Sequence, residues 1–142
     1  MSIPARVNLI TLGVADVGRA TTFYEALGWR RSSASTDDVS FFDLGYVVLG
    51  VFGRAALADD AGVPAGSPGF GGITLAINFE DVEAVDAAVV SWVAAGGTVV
   101  KQPERVFWGG YSGYLADLDG HLWEIAHNPY FPFDDRGVIQ LP

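Results

Sequence analysis

One strand-and-helix unit occurs twice in this chain, and this repeat constrains the fold more than any other feature of the sequence. Residues 10–14 read Ile-Thr-Leu-Gly-Val, and residues 73–77 read Ile-Thr-Leu-Ala-Ile. Each stretch leads through an aspartate, Asp16 or Asp81, into a segment whose apolar residues have helical spacing. Such an aspartate can accept a hydrogen bond from a free amide of the first helical turn. The sequence therefore predicts two copies of one module.

The two predicted helices match each other position by position along one side. The matched apolar residues are Val17, Ala20, Tyr24 and Leu27 in the first copy, and Val82, Val85, Val89 and Trp92 in the second. Their common spacing of three, four and three residues forms a single stripe on each helix. We therefore expect each helix to pack one face against the strands of its own module.

Alternation within the two repeated strands predicts what each face of the sheet meets. Large branched residues alternate with residues that are mostly small or mildly polar. In the first strand, Thr11 and Gly13 share the second face with Leu9, and Thr74 lies on the matching face of the second strand. Branched residues suit a face that a helix covers, whereas small residues leave space. We therefore expect sheets with helices on the outside and a concavity on the inside.

Further strands complete each module in the order β-α-β-β-β. They are predicted at 29–33, 39–43 and 46–52 in the first half, and at 98–101, 111–116 and 121–126 in the second. Module one then spans about residues 5–53, and module two about 72–127. Residues 54–71 lack an apolar period and form a predicted connector that could act as a flap over the concavity. The tail, 128–142, is expected to lie across the surface.

Composition excludes several classes of function. The 142 residues suffice for one domain and include no cysteine, which excludes thiol catalysis, Cys-ligated zinc and iron–sulfur clusters. The net charge of −9 without a basic cluster disfavours nucleic acid as a partner. The longest nearly apolar run, 44–52, is far shorter than the roughly 20 residues that a membrane span needs. We therefore expect a soluble cytoplasmic protein without a membrane partner.

Two motifs resemble the vicinal oxygen chelate superfamily, which includes glyoxalase I, extradiol dioxygenases, fosfomycin-resistance enzymes and bleomycin-binding proteins. They are Phe-Tyr-x-x-Leu-Gly at 23–28 and Asp-x-Asp-Gly-x-x-x-Glu at 117–124. The Trp-Gly-Gly-Tyr-Ser-Gly segment at 108–113 resembles the segment that precedes the Asp-Gly hairpin in the glyoxalase-like or bleomycin-resistance-like subgroup. The resemblance covers about residues 7–127 and implies an α+β fold. In that fold, two paired βαβββ modules form an incomplete-barrel cup with helices outside.

The resemblance also implies where a functional site lies. Metal-dependent members carry His, Gln or Glu on the first and last strands of each module, facing the cup. Matched by motif and spacing, these four positions fall on Leu9, Leu49, Gly72 and Glu124. A divalent cation needs several converging donors, and only Glu124 supplies one. We therefore expect no bound metal and no other cofactor.

The lone carboxylate of Glu124 allows two interpretations. As a functional group amid Leu9 and Leu49, it could serve as a general base or pair with an amine, amide or hydroxyl group of a ligand. Alternatively, Glu124 is a structural carboxylate that accepts hydrogen bonds from a nearby side chain or backbone amide.

Aromatic residues provide a second candidate for ligand binding. Phe107, Trp108, Tyr111 and Tyr114 lie in one short stretch with several glycines, so they could stack on a planar compound. They could equally fill the base of the cup, seal the seam between the modules or pack against a second subunit. Arg54, at the start of the connector, either meets an anionic group of a ligand or is a solvated surface residue.

These observations lead to two main hypotheses. The first is a metal-independent, small-molecule-binding protein of the glyoxalase/bleomycin-resistance type, which forms a homodimer and binds a planar, partly apolar compound. The alternative is a glyoxalase-like lyase or isomerase, or a dioxygenase-type enzyme, that uses Glu124 as a base or metal ligand. A third reading is an interaction module with a protein partner.

Overall fold

The computed structural model describes residues 2–67 and 69–141. The chain divides into two compact units, of which the second begins at Gly69. Among the described residues, no helix is long and apolar enough to cross a membrane. The elements of the first unit are β1 (Leu9–Val14), α1 (Val17–Ala26), β2 (Val39–Asp43), β3 (Val48–Gly53) and α2 (Arg54–Ala61). Those of the second are β4 (Leu75–Asn78), α3 (Val82–Ala94), β5 (Thr98–Arg105), β6 (Tyr111–Ala116) and β7 (Leu122–His127).

The first unit is a three-stranded mixed sheet with α1 packed against one face. Its strand order is β1-β3-β2, with β1 parallel to β3 and β2 antiparallel to it. Helix α1 begins after Asp16, whose carboxylate accepts a hydrogen bond from the amide of Arg19 at 3.0 Å. Phe23 and Tyr24 of α1 are fully buried, as is Phe42 of β2. Burial of these aromatic rings joins the helix to its sheet.

The second unit repeats this plan with a four-stranded sheet. Its strand order is β4-β7-β6-β5, and β4 runs parallel to β7. Helix α3 begins after Asp81, whose carboxylate accepts from the amide of Ala84 at 2.8 Å. Near the other end of α3, the rings of Trp92 and Trp123 lie 5.9 Å apart in the core. The two aspartates of the sequence repeat thus cap equivalent helices, as their positions predicted.

The predicted α+β fold with two repeated modules is confirmed, and one predicted strand is missing from it. Residues 29–33 form no strand; only Arg31 makes an isolated bridge, to Phe42. Side chains supply hydrogen bonds in this region. The hydroxyl of Ser35 accepts a hydrogen bond from the amide of Phe41 at 2.9 Å, and the guanidinium of Arg31 donates one to the hydroxyl of Ser40 at 3.1 Å. Side-chain hydrogen bonds of this kind replace part of a strand ladder.

The predicted connector contains a helix that hydropathy did not indicate. The sequence of helix α2 has no apolar stripe, and none of its residues is buried. It nevertheless approaches β1 closely, because a β-carbon on Gly13 would lie 3.2 Å from the Cα of Arg54 and 3.4 Å from the side chain of Leu57. Gly62, with a φ of 74°, ends the helix in the left-handed conformation. Helix α2 therefore covers one end of the face that we expected to be open.

The tail folds back on the second unit through a short turn and one aromatic contact. The ring of Tyr130 lies against the backbone of Gly109, where an added β-carbon would meet it at 3.1 Å. The carboxylate of Asp134 accepts hydrogen bonds from the amides of Val138 and Arg136 at 2.9 and 2.8 Å. These two bonds stabilise the charged carboxylate and lower the pKa of Asp134.

Candidate functional site

The strand register of the second unit places Glu124 beside Tyr114 and Ala76. Glu124 on β7 is paired with Tyr114 on β6 and with Ala76 on β4. Paired residues on neighbouring strands project to the same side of a sheet. The neighbouring residue Trp123 projects to the other side, where its ring meets Trp92 of α3. We call the side opposite α3 the Glu124 face.

A serine orients the carboxylate of Glu124 on this face. The hydroxyl of Ser112 donates a hydrogen bond to Oε2 of Glu124 at 2.6 Å. Ser112 is 6 % exposed, whereas Glu124 is partly exposed. Among residues 2–67 and 69–141, no other group donates to this carboxylate, so Oε1 remains available. One oxygen is thus held within the protein and the other can accept from a ligand.

Most of the side chains around Glu124 and Tyr114 on this face are small, and Leu122 is a larger one. Alternation along the strands puts Ala76, Ala116 and Ala126 on the Glu124 face together with Ser112. Thr74 lies just before β4 and is exposed. These small side chains flank one aromatic ring and one carboxylate on the sheet surface. The register thus puts Glu124 on a face that carries several small side chains.

Lys101 is the basic residue next to this arrangement. It is the register partner of Tyr114 on β5, and its ammonium group lies 3.6 Å from a carboxylate oxygen of Glu104. Both side chains are more than half exposed, so the ion pair adds little to stability. The negative charge of Glu104 nevertheless partly offsets the positive charge of Lys101 at this position.

Tyr111 does not share the Glu124 face, which corrects the expectation that it lines one site with Tyr114. The two residues are three positions apart on β6, so they project to opposite sides. The hydroxyl of Tyr111 donates to the carboxylate of Asp86 on α3 at 2.8 Å. This hydrogen bond to a charged group stabilises the neutral phenol and raises the pKa of Tyr111. Tyr111 therefore links β6 to α3.

Phe107 and Trp108 lie in the loop between β5 and β6. The loop is closed by hydrogen bonds between Val106 and Gly110 and between Gly109 and Val106, each 3.0 Å long. Phe107 is fully exposed at its tip, and the ring of Trp108 covers the backbone of Gly110. Strand register does not extend to this loop, so it does not assign either ring to the Glu124 face.

Leu9 and Leu49 lie on opposite faces of the first sheet, which corrects the expectation that both flank the same site. Leu9 is paired with Val48, and Leu49 with Ile10, so adjacent residues of each strand alternate in direction. Leu49 is 1 % exposed and belongs to the core, whereas Leu9 is 47 % exposed.

The error for Leu49 comes from the lengths of the two hairpin turns. Asp43 pairs with Val48 across the first hairpin, whereas Ala116 pairs with Leu122 across the second, whose turn is one residue longer. Counting from the turn glycine therefore shifts the alignment by one residue, which reverses the face. When counted from the first paired residue of each hairpin, the equivalent of Glu124 is Gly50.

Arg54 is committed to its own loop. Its terminal nitrogen Nη2 donates to the backbone oxygens of Ala65 and Ser67 at 2.8 and 3.1 Å. Its Nε is buried and makes no hydrogen bond within the described residues. We had expected Arg54 to meet an anionic ligand or to be solvated at the surface. Instead it anchors the segment that follows α2.

The donors of the Glu124 face do not fit a divalent metal ion. Such an ion requires several oxygen or nitrogen donors at one point. Within the part of the chain that the structure describes, no group of three or more His, Asp or Glu residues could hold a metal. His127 is also directed elsewhere, because its Nδ1 lies 2.9 Å from the backbone oxygen of Phe79. The hydrogen bond that the structure gives to the Glu124 side chain comes from the hydroxyl of Ser112.

The comparison with protein families identifies the group to which this fold belongs. A family model described as the Glyoxalase/Bleomycin resistance protein/Dioxygenase superfamily matches residues 6–125. The chain belongs to this superfamily. The matched range includes both strand-and-helix repeats and ends one residue after Glu124. No match was found among functionally curated proteins.

Several solved structures of superfamily proteins share this fold. A glyoxalase-related enzyme from Fulvimarina pelagi is 32 % identical, with a TM-score of 0.89 and coverage of 97 % of this chain and 99 % of that one. A lactoylglutathione lyase from Agrobacterium tumefaciens is 23 % identical, with a TM-score of 0.70 and coverage of 93 % and 100 %. A family enzyme from Burkholderia phytofirmans PsJN is 21 % identical, with a TM-score of 0.75 and coverage of 87 % and 98 %.

Ser112 is the residue of this site that the sequence analysis missed. The strand 111–116 was predicted with the bounds that the structure has. Alternation within it puts Ser112 on the same side as Tyr114 and opposite Tyr111. The alternation used for the repeated strands could have been applied to this strand as well. It would have placed Ser112 with Tyr114 and excluded Tyr111 from the same face.

Proposed function

We propose that this member of the superfamily binds a planar, partly apolar small molecule on the Glu124 face without a metal ion. The observation that carries the proposal is the pairing of Glu124 with Tyr114 among mostly small side chains, with Ser112 holding one carboxylate oxygen at 2.6 Å. An aromatic surface beside a single oriented polar group is the composition of many small-molecule sites.

The roles within this site differ between the residues. Tyr114 provides the flat surface, and Glu124 provides the polar contact that orients the ligand. Ala76 and Thr74 leave the space that the ligand fills. We include the rings of Phe107 and Trp108 as contributors from the neighbouring loop. Tyr111, Leu49 and Arg54 have structural roles.

Replacing Tyr114 by alanine tests the site directly. We expect Tyr114→Ala to weaken the binding of a planar probe, naphthamide or its charged analogues, about tenfold, because the stacking surface is lost. Tyr111→Phe is the matched control, since it removes only the hydroxyl that bonds to Asp86 on the other face. Titration calorimetry with both variants measures the difference. Equal affinities of Tyr114→Ala and wild type for the probes would exclude this face as the binding site.

The proposal also includes a metal-free homodimer as the functional form. Native mass spectrometry of protein purified without chelators is expected to give twice the chain mass with no added metal ion. The same spectrum tests both statements, because a bound divalent ion adds a defined mass to each subunit. A stoichiometric metal adduct would contradict the metal-free site, and a monomeric species would contradict the dimer.

An enzymatic alternative rests on the relative from Fulvimarina pelagi, which is described as a glyoxalase-related enzyme. In such a reaction, Glu124 would take the C2 proton of a 2-hydroxycarbonyl compound and return it to the carbonyl carbon, while the proton of the C2 hydroxyl passes to the former carbonyl oxygen. The alternative requires turnover of a 2-hydroxycarbonyl compound that Glu124→Gln abolishes. Binding without turnover supports the binding function.

A further inference from the structure

We propose that the ligand of the Glu124 face is a planar organic cation, and that Ser112 is the positioning residue that aims Glu124 at its N–H group. The inference rests on the proposed function and specifies the chemical class of the ligand. It depends on three observations: the hydrogen bond between Ser112 and Glu124, the aromatic neighbour Tyr114, and the distribution of charge along the chain.

The hydrogen bond determines what kind of group can be recognised. A carboxylate can only accept hydrogen bonds, and the hydroxyl of Ser112 already donates to Oε2 of Glu124 at 2.6 Å. The remaining oxygen, Oε1, accepts from none of the described residues. A ligand at this oxygen must therefore donate, and a charged N–H group forms the stronger bond. A carboxylate or phosphate ligand would instead be repelled.

The aromatic neighbour favours the same class of ligand. Tyr114 is paired with Glu124 on the adjacent strand, so ring and carboxylate stand side by side. The face of an aromatic ring attracts cations within about 6 Å of its centre. A flat cation can thus contact the ring of Tyr114 while its N–H group reaches Glu124. A neutral planar compound would gain only the contact with the ring.

Charge is distributed unevenly along the chain in a way that supports cation binding. The part from Gly69 onward contains ten acidic and three basic residues, a net charge of −7 out of −9 for the whole chain. This part carries the Glu124 face, and such a charge raises the local concentration of cations. Lys101, beside Tyr114, is offset by Glu104 at 3.6 Å.

Ser112 acts in this scheme through Glu124. The serine is 6 % exposed and lies two residues before Tyr114 on β6. Without its hydroxyl, the carboxylate of Glu124 would sample several rotamers and would have to be ordered when the ligand binds. Ordering one such side chain reduces affinity by a factor of about two to ten. Removal of the hydroxyl should therefore affect charged N–H ligands selectively.

Three probes of nearly equal shape test the inference: naphthamidine, naphthamide and naphthoate, which are cationic, neutral and anionic. We expect wild-type protein to bind the cation at least about tenfold more tightly than the amide, and the anion most weakly. Glu124→Gln should abolish the difference between cation and amide. Ser112→Ala should reduce it about threefold, and Ser112→Thr, which keeps the hydroxyl, should restore it.

The ratio of cation to amide affinity is the decisive measurement, because a general loss of stability lowers both affinities together. Thermal unfolding of each variant, compared with wild type, checks that the fold is retained. Equal binding of cation and amide to wild type would overturn the inference and leave the proposed function standing. Binding of none of the three probes would overturn the proposed function as well. A ratio that Ser112→Ala leaves unchanged would remove the positioning role of Ser112.

Discussion

Replacing Trp92 by alanine is expected to lower the free energy of unfolding by about 3–5 kcal/mol, the range observed when a buried tryptophan is truncated. Trp92 is 3 % exposed in the core of the second unit. Its indole Nε1 donates to the backbone oxygen of Ala116 at 2.7 Å, and its ring lies 5.9 Å from that of Trp123. The substitution therefore creates a cavity and also leaves a buried carbonyl oxygen without its donor.

The packing of Trp92 depends on a glycine that follows α3. The ring occupies the space that a β-carbon on Gly97 would need, so ring and backbone are in direct contact. A smaller side chain at position 92 leaves this backbone uncovered.

Two variants separate the contributions of Trp92. Trp92→Phe keeps most of the apolar contact but loses the donor, so we expect about 1–3 kcal/mol of destabilisation. Val93→Ala, at a position that is 49 % exposed, should change stability by less than about 0.5 kcal/mol. Urea unfolding monitored by circular dichroism measures all three variants. A Trp92→Ala protein that is as stable as Val93→Ala would refute this account of the core.

Replacing Gly113 by alanine is expected to destabilise the protein by about 1–3 kcal/mol. A β-carbon at this position would lie 2.6 Å from the backbone oxygen of Lys101 and 2.6 Å from the backbone nitrogen of Pro103. Both atoms belong to the main chain of β5, so no side-chain rotation relieves the contact. The pairing of β5 with β6 is irregular between Lys101 and Glu104, where Pro103 cannot donate a hydrogen bond.

The same substitution should reduce ligand binding, because Gly113 lies between Ser112 and Tyr114 on β6. A shift of this strand would move both residues relative to Glu124. Gly71→Ala is the matched control, since no described heavy atom lies within 4 Å of the added carbon and the glycine lacks a positive φ. We expect wild-type stability and wild-type probe affinity for that control. Unfolding and probe titration of Gly113→Ala that match the control would contradict the close approach of β5.

Strand and helix positions could be predicted closely where local signals agree. The predicted strands 39–43 and 111–116 coincide with β2 and β6, and both predicted helices begin after their aspartate caps. Prediction failed where a segment has no apolar stripe, as in α2, or where serine hydroxyls take the place of strand partners, as at 29–33. In both places, the structure depends on contacts that periodicity does not report.

The residues of the proposed site were predicted only in part, for a related reason. The family motif located Glu124, and Tyr114 was among the predicted aromatic residues. Leu49 and Tyr111 were both expected at the site, but Leu49 lies in the core and Tyr111 projects to the side opposite Glu124. A change of one residue in register reverses every side chain of a strand, so small errors in turn length have large effects on a proposed site.

By itself, the sequence determined the repeat, the helix starts and the superfamily motifs, because each depends on residues close together in the chain. Only the tertiary structure decided which side chains stand next to Glu124. That choice depends on which strands pair and in which register, so it involves residues far apart in sequence. The hydrogen bond from Ser112, 12 positions away, exists only after β6 and β7 have paired.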